Sequence, residues 1–87
     1  MTGTALYFSA EWCGPCKPFK PVAMAALDNA GIQVIEYDAD TAFEETTKFG
    51  VRSLPTIILQ KDNVEIARVT GASHKQLGEA LQRFKNG

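Results

Sequence analysis

The chain switches repeatedly between two kinds of hydrophobic spacing. Thr4-Ala5-Leu6-Tyr7-Phe8 is a short, nearly unbroken apolar run, the pattern of a buried strand. Ser9-Ala10-Glu11-Trp12 follows as a loop. From about Gly14 to Ala30 the spacing becomes helical, with Phe19, Val22, Ala23, Ala26 and Leu27 on one face. Gly31 is placed to end that helix as its left-handed C′ residue. Pro21 lies inside the helix, removes one backbone hydrogen bond and is expected to kink it. Ile32 to Tyr37 reads as a second strand, closed by the polar break Asp38-Ala39-Asp40. Thr41 with Glu44 three residues on has the form of a capping box, which predicts a short helix to Phe49 closed by Gly50. Thr56-Ile57-Ile58-Leu59 is a fully apolar strand, Lys61-Asp62-Asn63 a turn, and Val64 to Thr70 the hairpin partner. Gly71-Ala72 breaks the pattern. Ser73 with Gln76 repeats the capping-box form ahead of an amphipathic helix carrying Leu77, Ala80, Leu81 and Phe84.

The predicted order is βαβαββα. Alternating strands and helices followed by a hairpin imply an α/β fold, with a four-stranded mixed sheet flanked by helices. The first crossover should be parallel and right-handed. A chain of 87 residues has room for a single domain, taken here as residues 1–87. Its 45% hydrophobic content argues against disorder. No apolar run approaches the roughly 20 residues that cross a bilayer, so no membrane association is expected. Nine basic side chains against ten acidic ones give a net charge of −1, which offers nothing to nucleic acid. Met1-Thr2-Gly3-Thr4 shows neither the basic region nor the apolar stretch of a secretory signal.

Chemistry concentrates in Trp12-Cys13-Gly14-Pro15-Cys16, which holds the only two cysteines. At the junction of a loop and a helix, this spacing brings both sulfurs to the first helical turn, among amides that lack partners. A thiolate there gains ~0.3–1 kcal/mol, up to ~2 when partly buried. That lowers a thiol's pKa by about one unit and raises its reactive fraction several-fold from a starting pKa near 8.5. A disulfide closing so small a ring would contribute only about 2 kcal/mol in the loop-entropy model, so the pair suits a reversible switch better than a staple. A zinc site needs four ligands. The chain offers two cysteines and His74, far away on the terminal helix and expected to be solvated, so no metal is expected.

Ala10-Glu11-Trp12-Cys13-Gly14-Pro15-Cys16-Lys17 resembles the active site of the thioredoxin family. Pro21 resembles the proline of that family's active-site helix. Phe49-Gly50-Val51-Arg52-Ser53-Leu54-Pro55-Thr56 resembles the segment with its cis-proline, and Gly71 resembles its groove glycine. The resemblance runs from about Leu6 to Phe84. It implies a thioredoxin-like fold lacking the usual N-terminal strand and helix. It also implies a thiol–disulfide oxidoreductase that reduces protein disulfides through a redox-active Cys13–Cys16 pair. Cys13 would be the exposed attacking nucleophile and Cys16 the buried resolving thiol. Trp12, Gly14, Pro15 and Lys17 would shape the contact surface, and Leu54, Pro55 and Gly71 would form the substrate groove. No bound cofactor is implied; electrons would come from NADPH through thioredoxin reductase, in the cytoplasm, to a monomer. The sequence departs from the family at Ser9, where a Trp is usual. It departs again at Tyr7 and Glu36, which stand where the family has a buried Asp and a neighbouring Lys. Two readings stay open there: Glu36 is a solvated strand residue and Tyr7 core packing, or Glu36 accepts the proton of Cys16 through water and Tyr7 orients the relay. Rival readings are an oxidising or isomerising member of the fold, and a binding module in which redox chemistry is incidental. Glutaredoxin lacks support, since its Pro-Tyr dipeptide is not between the cysteines.

Overall fold

The computed structural model describes residues 3–87; Met1 and Thr2, part of the segment considered for a secretory signal, lie outside them. The elements are β1 (Gly3–Ser9), α1 (Cys16–Asn29), β2 (Gln33–Asp38), α2 (Phe43–Lys48), β3 (Thr56–Lys61), β4 (Val64–Thr70) and α3 (His74–Asn86). The strands form one mixed sheet in the order β2-β1-β3-β4. β1 runs parallel to β2 and antiparallel to β3, and β3 is antiparallel to β4. The four strands and three helices match the expected order.

The apolar runs are central because they can be buried on both faces. Ala5 and Tyr7 of β1 and Ile57 and Leu59 of β3 face one core, built with Phe19, Ala23 and Leu27 of α1 and Leu77, Ala80 and Phe84 of α3. Leu6, Phe8 and Ile58 face the other side, against Tyr37, Phe49, Val51 and Leu54. β2 lies at the sheet edge, and its residues are mostly exposed or half-buried. Gly3 sits so close to α3 that a Cβ there would collide with the Phe84 ring. Lys61 Nζ donates to the Phe84 carbonyl at 2.6 Å and covers the same ring, fastening the last helical turn to β3.

The two capping-box patterns diverge. Ser73 caps α3, its Oγ accepting the Gln76 amide at 3.1 Å. The Gln76 side chain does not return to Ser73; its Oε1 accepts the Thr70 amide at 3.1 Å. Thr41 caps nothing. α2 opens one residue later, after Ala42, with no side-chain cap. The carbonyl of Asp38 collects the amides of Thr41 and Ala42 at 3.0 and 2.8 Å, and the Thr41 hydroxyl at 3.3 Å. A local turn competes for the groups that a cap would use.

Candidate active site

Beyond β1 the Cys13 amide donates to the Ala10 carbonyl at 3.1 Å and the Lys17 amide to the Gly14 carbonyl at 3.3 Å. These turns lead into α1, whose first residue is Cys16. The expected start at Gly14 is therefore two residues early. Pro15 has no amide hydrogen and a preset φ, so it takes the position that opens the helix. Cys13 and Cys16 are disulfide-bonded, with Cα atoms 5.3 Å apart. The bond keeps both sulfurs at the amino end of α1.

The expectation of an exposed Cys13 beside a buried Cys16 is not met in this oxidised form. Each is 4% exposed. Ala10 and Leu54 pack around the pair. What separates the two is direction. Cys13, and not Cys16, lines an open groove of about 610 Å³ together with Trp12, Gly14, Pro15, Val51, Arg52 and Leu54.

Trp12 forms one lip of this groove and is 68% exposed. Its indole Nε1–H donates to both carboxylate oxygens of Asp40, at 2.9 and 3.0 Å. Asp40 is held in turn, its amide donating to Asp38 Oδ1 at 2.9 Å. A charge-assisted hydrogen bond thus fixes a large aromatic surface that packing alone would leave loose. No sequence spacing pairs Asp40 with Trp12, since 28 residues separate them.

The facing wall is the segment before β3. The Leu54–Pro55 peptide is cis. Neither backbone group of Leu54 has a partner among the described residues. The Pro55 carbonyl accepts the amide of Gly71 at 2.8 Å, and Gly71 has φ +84°, a conformation that disfavours a side chain. Gly71 and Pro55 therefore brace the wall from behind, while Leu54 lines the groove. Lys17, expected to shape the contact surface, projects from the first turn of α1 outside the groove lining.

The Thioredoxin family model matches residues 3–83. The chain belongs to the thioredoxin family. It is 42% identical over 69 residues to a thioredoxin of Chlamydia muridarum, covering 78% of this chain and 68% of that one. It is 37% identical over 80 residues to Thioredoxin H5 of Oryza sativa, covering 91% of this chain. It spans only 59% of that relative's length. The solved structure of Fasciola hepatica thioredoxin superposes with a TM-score of 0.85 at 30% identity, over 94% of this chain and 80% of that one. Family and disulfide together identify a thiol–disulfide oxidoreductase.

The thioredoxin resemblance also placed a proton relay at Tyr7 and Glu36. The two are direct partners in the β1–β2 register. No hydrogen bond joins them. Tyr7 is 0% exposed within the core that holds Phe19, and its hydroxyl has no partner. Burial, and secondarily the charge of Glu36, pushes the phenol above its ordinary pKa. Glu36 lies on the edge strand and is half exposed, its carboxylate 2.7 Å from Lys20 Nζ of α1. Tyr7 therefore makes no direct hydrogen bond to Glu36. One side chain turns into the core and the other reaches along the surface to α1. His74 opens α3, exposed as expected, with its ring edge-on to Phe19 at 5.4 Å. Among the described residues no three His, Cys, Asp or Glu side chains gather as a metal site. No described helix is long and apolar enough to cross a membrane.

Proposed function

We propose that the chain is a reductase of protein disulfides. The observation that carries this reading is that Cys13 opens onto the groove between Trp12 and Leu54, while Cys16 stands behind it. In the reduced form the Cys13 thiolate attacks one sulfur of a substrate disulfide. A mixed disulfide forms and the other substrate sulfur leaves as a thiolate. The Cys16 thiolate then attacks the Cys13 sulfur, forming Cys13–Cys16 and releasing the second substrate thiolate. Two electrons pass from the dithiol to the substrate, and the protons come from solvent.

Trp12, Gly14 and Pro15 supply the surface against which the substrate lies. The unpaired backbone groups of Leu54, next to Pro55, hold an extended substrate segment as a strand edge would. The Gly-Pro dipeptide between the cysteines supports the reducing direction through its resemblance to reducing members of the family. The dithiol is restored by electrons from NADPH through thioredoxin reductase, and the protein acts as a monomer in the cytoplasm.

Variants of the two sulfurs test the mechanism. Cys13→Ser should abolish turnover of a disulfide-bonded protein, while Cys16→Ser should accumulate a mixed disulfide visible by mass spectrometry. If alkylation of the reduced protein labelled Cys16 ahead of Cys13, the roles would be reversed. The redox potential decides direction, since ~30 mV shifts the balance about tenfold.

A further inference from the structure

The groove carries a charge that disulfide exchange itself does not use. Arg52 is exposed and is the only charged residue among those lining the groove. Its guanidinium has no partner among the described residues, whose ion pairs are Lys20–Glu36 and Arg68–Glu65. The carboxylate of the opposite lip, Asp40, is engaged by the Trp12 indole. The lining around Arg52 includes the apolar side chains of Val51 and Leu54.

We infer that Arg52 selects substrates bearing an aspartate or glutamate close to the disulfide cysteine that Cys13 attacks. A guanidinium offers a planar fork of donors that matches a carboxylate. A substrate covering the apolar lining displaces water from around the pair and lowers the local dielectric, which strengthens the attraction. Arg52 stands two residues before Leu54 and lines the same groove. A substrate segment hydrogen-bonded to Leu54 therefore brings a residue near the attacked cysteine over Arg52. With a net charge of −1 the protein as a whole does not attract acidic chains. The preference is accordingly local and depends on where the carboxylate stands.

The inference rests on the reductase reading above, and one experiment separates the two. Disulfide-bonded peptides are prepared with glutamate, glutamine or lysine placed in turn at each position near the target cysteine. Second-order rate constants with the fully reduced protein are measured at about 10 mM and about 1 M salt, where the screening length is ~30 and ~3 Å. At one or two positions the glutamate peptide should react faster than its glutamine counterpart by about two- to five-fold, the range of an exposed charge pair. The lysine peptide should react slowest, and high salt should compress the differences. Arg52→Gln should level the series, and Arg52→Glu should reverse it in favour of lysine. Equal rates for the three peptides at every position would overturn the inference alone, as would a preference that survives in Arg52→Glu. Failure to reduce any peptide would overturn the reductase reading and the inference with it.

Discussion

Replacing Tyr7 by Phe should make the protein more stable, although it deletes a polar group from the centre of the sheet. The ring is 0% exposed and its hydroxyl has no hydrogen-bond partner. Folding strips that hydroxyl of water and returns nothing, at a cost of about 1–3 kcal/mol. Phenylalanine keeps the ring and the packing with Phe19 and Leu27 while removing the desolvated oxygen. Part of the gain is lost with the oxygen's dispersion contacts, which leaves about 1–2 kcal/mol. For a domain of this size each kcal/mol moves Tm by ~4–8 °C, so a rise of roughly 5–15 °C is expected. Urea titration of the oxidised protein should show a higher midpoint at unchanged slope. Alkaline pH provides a second readout. The folded phenol's pKa lies above its unfolded value of 10.0. Above the unfolded value the unfolded chain binds fewer protons than the native one, so stability falls as pH rises towards the folded value. The fall is at most about 1.4 kcal/mol per pH unit. The difference between parent and Tyr7→Phe should therefore widen from pH 10 upward. A variant no more stable than the parent, with a constant difference at high pH, would refute the claim of an orphaned hydroxyl.

Two further variants probe the neighbourhood of the disulfide. Asp40→Ala should speed reorientation of the indole of Trp12, the only tryptophan, in time-resolved fluorescence anisotropy. It should change stability by less than ~1 kcal/mol, as exposed substitutions do; an unaltered decay would show that packing alone holds the ring. Glu36→Gln breaks the surface pair with Lys20 and should cost under ~1 kcal/mol. In rapid mixing of a preformed mixed disulfide it should leave resolution by Cys16 unaltered, whereas a slowing of 10-fold or more would establish Glu36 as the base.

The framework was legible because its elements follow single periodicities. Phe19, Ala23 and Leu27 mark the buried face of α1, and β1 and β3 announce their central place by being apolar on both faces. The cysteines and Leu54-Pro55 were legible as a motif. Misreadings arose where two local patterns compete or where contacts span the chain. Thr41 and Ser73 present the same capping form, yet Asp38 captures the backbone around Thr41 and nothing comparable precedes Ser73. The shielding of Cys13 depends on Leu54, 41 residues away, which no spacing rule reports. Asp40 and Arg52 acquire meaning only when the loops after β2 and α2 meet Trp12.

The hydrogen bond from the Gly71 amide to the Pro55 carbonyl links the groove wall to the last helix of the chain. Gly71 follows Thr70, whose amide is held by Gln76, whose own amide is held by Ser73. The groove wall at Leu54 and Pro55 is thus anchored in the first turn of α3, a helix that contributes nothing to the groove lining. The geometry of the groove wall is therefore tied to the cap of the last helix, 18 residues along the chain from Pro55.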